Sequence, residues 1–229
     1  MIQYLRRFVD NKDDSSIAAK LRRQRFAFFL TLVSELSTPL KILDVGGTEV
    51  FWEKRGFVHE AGVKVTLLNL FRTDVHYPNF VSVIGDARDM SRFDNHEFDI
   101  VFSNSVIEHL GNLADQRRMV TEIQRVGKEF FVQTPNRFFP IEPHFLFPFF
   151  QFLPTTLQVY LLRRFNIGWS SRSPDEESAR KRLTAIRLLT RRELQELFPG
   201  ASIHRERFFG LTKSLIAVSS FRGAHPKLT

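Results

Sequence analysis

Short apolar segments alternate with helical patterns along the middle of this 229-residue chain, and this alternation constrains the fold more than any other feature. Five apolar segments and two later ones are predicted as strands: 41–45, 63–68, 80–84, 98–102, 129–133, 203–208 and 214–219. Helices are predicted at 15–37, 51–61, 113–126, 157–165 and from the capping box of Thr190 and Glu193 onward. The pattern predicts a doubly wound, Rossmann-like α/β sheet of seven mostly parallel strands with helices on both faces.

Polar or small residues stand where the predicted strands end. Gly46, Asn69, Asp86, Ser103 and Thr134 all occupy such positions. Because right-handed crossovers bring the carboxyl ends of parallel strands to one edge, we expect these residues to line a binding edge. The chain lacks the glycine patterns of dinucleotide-binding and phosphate-binding loops, which argues against both functions.

Each of these positions also has an ordinary structural explanation. Glycines after a strand, here Gly46 and Gly47, let a backbone approach a ligand closely, but they also occur in simple turns. Asn69 lies where a nucleoside-binding fold places a ribose ligand, and asparagine is also a common turn residue. Asp86 could accept a hydrogen bond from an adenine amine or could cap a helix.

The segments KILDVGGTEVFW (41–52) and FDIVFSNSVIEHL (98–110), with the spacing between them, resemble the class I S-adenosylmethionine-dependent methyltransferases. The likeness is to the small-molecule branch called the type 11 methyltransferase domain, and it runs from about Lys41 to Asn136. The resemblance implies S-adenosylmethionine as the cofactor. It implies that Asp44, Gly46 and Gly47 hold the methionine part, Asn69 and Leu70 the ribose, and Asp86 and Ala87 the adenine. It also implies that Ser103, Asn104 and Val106 line the methyl-transfer path. The resemblance also places His109 on the transfer path.

Two positions depart from that family. Thr48 and Glu49 stand where its loop has later glycines, and Asn69 stands where it has an acid. These changes leave open a relative that has lost catalysis. If the loop does contact the cofactor, valine at Gly46 should abolish binding while the protein stays folded.

The sulfonium of S-adenosylmethionine is an activated methyl donor, so the protein needs a general base only if the acceptor carries a group such as a hydroxyl. We predict His144 and His109 as candidate bases, with Glu142 as an orienting partner or acid. Either histidine could instead be purely structural. The chain has no cysteine, which excludes thiolate ligands, and no metal site is predicted.

Residues 138–152 hold seven phenylalanines and three prolines, within a predicted insertion over 138–182 after the fifth strand. Three interpretations stay open: a core-packing insertion, an apolar lid over the acceptor, or a membrane contact assisted by Arg163 and Arg164. The prolines argue against one long amphipathic helix here. A polar loop is expected over 170–178.

We expect one methyltransferase domain over 1–229, with a helix at 15–37, a cofactor-binding core at 41–136, the insertion, and closing elements at 187–220. The formal charge of +8 is concentrated in residues 1–25 and 163–207, which fits solvated basic faces or an anionic partner. With neither a signal peptide nor a bilayer-spanning segment, the expected location is the cytoplasm, including the inner face of the membrane.

The combined hypothesis is methyl transfer from S-adenosylmethionine to an oxygen of a small-molecule or lipid-like acceptor. The alternatives are an inactive scaffold with the same fold and an RNA-modifying methyltransferase. Nucleic acid is not the expected partner, because no RNA-binding module is recognisable. The sequence does not indicate an oligomeric state.

Overall fold

The computed structural model describes residues 17–34, 36–169 and 171–220 of the chain. Its helices are α1 (Ile17–Val33), α2 (Glu49–Glu53), α3 (Leu113–Val126), α4 (Thr155–Arg164), α5 (Glu176–Thr184) and α6 (Arg191–Leu197). Its strands are β1 (Leu40–Val45), β2 (Val63–Asn69), β3 (Phe80–Ile84), β4 (Phe98–Asn104), β5 (Gly127–Pro135), β6 (Ile141–Glu142), β7 (Phe147–Pro148), β8 (Ser202–Phe208) and β9 (Leu211–Val218).

Seven strands form one sheet in the order β3-β2-β1-β4-β5-β9-β8. Strands β1 to β5 are parallel to one another, and β9 pairs antiparallel with both β5 and β8. The chain runs outward from β1 to β3 and then returns to place β4 on the other side of β1. Ligands bind at such a reversal, outside the carboxyl ends of the strands.

The sheet is covered by helices on both faces, as the sequence pattern predicted. On one face, α3 and α6 pack their apolar stripes onto it through Met119, Ile123 and Leu194. On the other face, α1 contributes Phe26, Phe28, Phe29 and Leu32 to an aromatic core that includes Trp52, Phe102 and Phe131. These two layers fix the carboxyl ends of β1, β4 and β5 as a rigid edge.

Two helix predictions need correction. The first helix ends at Val33 and not at residue 37, because the Leu36 amide donates to the carbonyl three residues back, at Val33, and the α-helical hydrogen-bond pattern has stopped. Residues 15 and 16, where this helix is predicted to begin, lie outside the described residues. The helix predicted over 51–61 is only α2, because Gly56 adopts a left-handed φ of 70° and a short 3₁₀ turn follows.

The polar loop predicted over 170–178 is also partly wrong, because α5 begins inside it. The Asp175 side chain accepts a hydrogen bond from the Ser178 amide, and Glu176 and Glu177 occupy the first turn. A side-chain acceptor at the N-cap and acids in the first turn both favour the start of a helix, so the sequence itself indicates that a helix begins here. The capping box of Thr190 and Glu193 is confirmed.

The aromatic insertion folds as a separate small layer. Strands β6 and β7 form a two-residue hairpin. A hydrophobic cluster behind it joins Phe145 and Phe150 to Val159, Leu162, Ile167 and Ala179. Part of the insertion is therefore packed core, as one of the three interpretations proposed.

None of the helices within 17–34, 36–169 and 171–220 combines the length and apolar character that a bilayer span requires.

Candidate cofactor and acceptor site

A cavity of about 1140 Å³ lies against the carboxyl ends of β4 and β5. Its floor includes Asn104, Ser105 and Gln133, and the insertion and the β8–β9 turn form its walls. The walls are rich in apolar side chains: Phe51, Phe139, Ile141, Leu146, Trp169, Phe208 and Phe209. A pocket of this size and character, at the reversal of strand order, is where a small ligand is expected.

A buried arginine organises the floor of the cavity. The Arg25 guanidinium donates to Asn104 Oδ1 at 2.5 Å and to Gln133 Oε1 at 2.9 Å. It also donates to both carboxylate oxygens of Glu206, at 2.9 and 2.6 Å. This network ties α1 to β4, β5 and β8 and fixes the strand ends where a ligand would lie.

The chain leaves β4 through a strained residue. Ser105 has a φ of 60°, an uncommon value for a residue with a Cβ. Its amide donates to the Gln133 carbonyl at 3.0 Å and its hydroxyl donates to Gln133 Oε1 at 2.9 Å. Strained residues held by such hydrogen bonds are concentrated at functional sites. Ser105 turns the chain beside the cavity.

The three residues predicted for catalysis come together at one end of the cavity, with Glu108 beside them. The His144 Nδ1 lies 2.6 Å from Glu142 Oε1, and the His109 and His144 rings meet edge to face at 4.8 Å between centroids. Glu142 is buried, and its other oxygen accepts hydrogen bonds from the amides of His144 and Phe145. The hairpin thus holds a carboxylate–histidine pair rigidly.

Glu108 is the member of this group that the sequence analysis did not select. Its side chain is fully buried, and Oε2 accepts a hydrogen bond from Thr134 Oγ1 at 3.0 Å. Oε1 has no hydrogen-bond partner among the described residues. Burial raises the pKa of Glu108 to about 7.

The two histidines respond oppositely to the same surroundings. Burial disfavours a charge on His144, but the hydrogen bond and the negative charge of Glu142 outweigh it and raise its pKa. Burial and the neighbouring His144 lower the pKa of His109. The arrangement therefore favours His109 as a neutral imidazole with a free nitrogen lone pair.

The glycine loop after β1 is packed internally. Asp44 is buried, its Oδ2 accepts a hydrogen bond from the Trp52 indole at 2.7 Å, and burial raises its pKa to about 7. A Cβ on Gly47 would lie 1.6 Å from Asp44 Oδ2, and one on Gly46 would lie 2.5 Å from Val106 Cγ2. Gly46 has a φ of 79°, so valine there would strain the backbone as well, and whether such a variant stays folded remains a prediction.

The residues predicted for ribose and adenine lie at the ends of β2 and β3. Asn69 donates from Nδ2 to the Gly47 carbonyl at 2.9 Å, and its Oδ1 has no partner among the described residues. The Leu70 side chain beside it is 69% exposed, although leucine side chains are usually buried. Asp86 forms a salt bridge with Arg88, which lowers its pKa, and Ala87 packs against the core.

The structure separates the predicted β4 residues. Ser103 is fully buried in the sheet and is not part of the cavity wall, whereas Asn104 lines the cavity. Arg25, Gln133, Glu108, Trp169 and Lys213 also line the cavity without having been predicted. Two of them are recognisable in the sequence: Glu108 is an acid directly before a candidate histidine, and Gln133 directly precedes Thr134 at a strand end.

Residues 51–129 match the family described as methyltransferase domain, a segment that runs from α2 to the start of β5. The chain has the fold of the class I methyltransferases. A search of curated proteins finds no match.

Three of the structures similar to this methyltransferase illustrate how remote the likeness is. An S-adenosylmethionine-dependent methyltransferase from Aquifex aeolicus is 10% identical, with 95% of this chain and 97% of that chain covered and a TM-score of 0.50. One from Methanosarcina mazei is 12% identical, covering 82% and 94%, with a TM-score of 0.51. The CurJ carbon methyltransferase is 11% identical, covering 90% and 55%, with a TM-score of 0.55. The chain spans 45% and 59% of the length of two others, from Galdieria sulphuraria and Nostoc punctiforme.

S-adenosylmethionine is the cofactor of this class, and the carboxyl edge of the methyltransferase has groups that fit it. A nucleoside needs an apolar platform for its base and polar atoms for its ribose and amine. Leu70 and Phe71 are both exposed there, between Asn69 with its unused oxygen and the carboxylate of Asp86. The glycine loop contributes less, because its space is filled by Asp44 and Val106.

Proposed function

We propose that this methyltransferase transfers a methyl group from S-adenosylmethionine to a hydroxyl oxygen of a small-molecule or lipid-like acceptor held in the cavity. The observation that carries the proposal is the buried Glu142–His144 pair, whose histidine lines a cavity that also has many apolar side chains. A few polar groups in an apolar pocket orient an acceptor and move its proton.

Asn69 and Asp86 would hold the ribose and adenine of the cofactor, with Leu70 against the base. Asn104 and Ser105 would then separate its methionine part from the acceptor cavity. The bound cofactor supplies an electrophilic methyl group on sulfur, which needs alignment with the acceptor rather than further activation.

Glu142 determines what His144 can do. A carboxylate only accepts hydrogen bonds, so the bond to Glu142 fixes the proton of His144 on Nδ1 and leaves Nε2 for the acceptor. The amides of His144 and Phe145 hold Glu142 in place. His144 is therefore oriented as a general base by the hairpin that carries it.

The cavity favours an acceptor that combines apolar surface with negative charge. Glu108 is the one acid in its wall, whereas six cationic residues line it: Arg22, Arg23, Arg25, Lys54, Arg55 and Lys213. Burial lowers the pKa of Lys213, Arg25 and Arg22 act in the same direction and Glu206 opposes them, so an anionic ligand beside Lys213 would favour its charged form. Exposed Phe138 and Phe152, whose rings stack at 6.1 Å, give the insertion an apolar outer surface that suits a lipid-like molecule.

We expect His144→Ala to lower the single-turnover rate of methyl transfer by roughly 100-fold or more, the usual contribution of a general base. S-adenosylmethionine affinity should change less than about twofold, because His144 lies in the acceptor part of the site. The assay follows radiolabelled methyl incorporation into a panel of aromatic hydroxy acids and anionic lipids, with calorimetry for the cofactor.

His59→Ala is the matched control, since His59 is exposed and distant from the cavity. A lower melting temperature with an unchanged rate for folded His144→Ala would mean that the residue only packs the insertion. Tight, sequence-selective RNA binding with methyl incorporation into RNA would favour the nucleic-acid alternative instead.

A further inference from the structure

Glu108, His109 and His144 form a compact set of metal-ligating side chains. One ligand atom from each lies within 4.8 Å of the other two. Metal–nitrogen and metal–oxygen bonds of about 2.0–2.2 Å would place neighbouring ligand atoms roughly 3–3.5 Å apart. Small side-chain rotations would close this gap, and all three residues face the same cavity.

The surroundings of His144 match those of a metal ligand. Histidines that bind metals usually give their second N–H to a carboxylate, which fixes the tautomer and the ring orientation. Glu142 does this at His144 Nδ1 and is itself anchored by two backbone amides. The lone pair of His144 Nε2 is then available, as is one on neutral His109.

The buried carboxylate of Glu108 is a second and separate indication of a metal site. Its buried Oε1 has no hydrogen-bond partner in the described part of the chain, although burial of an unsatisfied polar atom is costly. A cation bound at Oε1 would satisfy this oxygen.

We infer that Glu108, His109 and His144 bind a divalent transition-metal ion at the end of the cavity. Two imidazoles and one carboxylate favour ions such as zinc over magnesium or calcium, which prefer oxygen ligands. Three protein ligands leave a position open toward the cavity. If methyl transfer to a hydroxyl is right, an acceptor hydroxyl bound at that position would have a lowered pKa, and His144 would act as a metal ligand in place of its role as general base.

The test is calorimetric titration of zinc chloride into the full-length protein after treatment with a chelator and its removal. We expect one zinc ion per chain with a dissociation constant below about 10 μM, and a higher melting temperature when zinc is present. Binding no tighter than millimolar, or no thermal stabilisation, would overturn the inference.

Variants identify the site. Glu108→Gln and His109→Ala should each weaken zinc binding at least 100-fold, and Glu142→Gln should weaken it by 10–100-fold as a loss of outer support. His76→Ala is the matched control, because His76 also pairs with a carboxylate, Glu49, but lies outside the cluster. Equal zinc affinity in all four variants would contradict the assignment.

The two hypotheses fail separately. Zinc binding lost in His109→Ala with cofactor binding unchanged supports the metal site whatever the acceptor is. Unmeasurable zinc binding in the wild-type protein, together with a rate loss in His144→Ala, would leave the proposed function standing without the metal. If Glu108→Gln proves too unstable to study, His109→Ala decides the question alone.

Discussion

Alanine at position 47 is expected to destabilise the protein by more than about 4 kcal/mol, or to prevent folding. The added Cβ would lie 1.6 Å from Asp44 Oδ2 and 2.1 Å from its Cγ. Asp44 cannot move aside easily, because it is buried in β1 and bonded to the Trp52 indole at 2.7 Å. Trp52 in turn packs in the aromatic core beneath α1, so relief of the clash would disturb that core.

Gly56→Ala is the control for this prediction. Gly56 has a φ of 70°, but a Cβ there would meet nothing within 4 Å, so the cost should be only the roughly 1–2 kcal/mol of left-handed backbone. Chemical denaturation of both variants measures the free energies of unfolding. Equal losses in the two would mean that the Asp44–Trp52 pair is more mobile than the packing indicates.

Loss of the Arg25 guanidinium is the second large effect that we expect. Arg25→Met would leave the Glu206 carboxylate, which has a side-chain exposure of 9%, without its bidentate partner. Breaking a buried ion pair from one side costs about 3–5 kcal/mol. Asn104 and Gln133 would lose their hydrogen bonds as well, so the cavity floor should loosen with the stability.

The double variant Arg25→Met, Glu206→Leu separates the ion pair from general packing. Removing both charges should recover much of the loss, because no uncompensated buried charge remains. Urea denaturation of the wild type, both single variants and the double variant completes the cycle. Additive losses would show that the contact contributes little coupling and that Arg25 acts mainly by filling space.

The sheet could be predicted from the sequence because its strands are short apolar segments with clear polar ends. β1, β2, β4 and β5 are largely buried on both faces, and this leaves continuous apolar runs that differ from the helical pattern of α3. The end of α2 is not predicted by the apolar pattern, because Gly56 takes a left-handed φ while that pattern continues. The end of α1 at Val33 also falls inside a continuing apolar pattern, which runs on to Leu36.

The site was predictable where its residues follow strands and not where they meet across the fold. His109, Glu142 and His144 were found individually, but their contact depends on a two-residue hairpin that periodicity cannot reveal. Arg25 looks like any other basic residue of a helix until α1 packs over β4 and β5. Leu70 was predicted only from the family likeness; its exposure is a property of the folded edge.

We expect S-adenosylmethionine to bind across the ends of β2 and β3, and calorimetry on surface variants tests this most directly. The wild type should bind S-adenosylmethionine and S-adenosylhomocysteine with one molecule per chain. Leu70→Glu should weaken both at least tenfold, because it removes the apolar platform and places a charge against the base. Leu157→Glu is the matched control, since Leu157 is 41% exposed on α4 and lies outside the cavity wall.

We expect Leu157→Glu to bind both ligands like the wild type and Leu70→Glu to bind both at least tenfold more weakly. Both variants change an exposed leucine, so equal melting temperatures should accompany the difference in affinity. No measurable binding by the wild-type protein, or the same affinity in Leu70→Glu and Leu157→Glu, would contradict the assignment of this edge as the cofactor site.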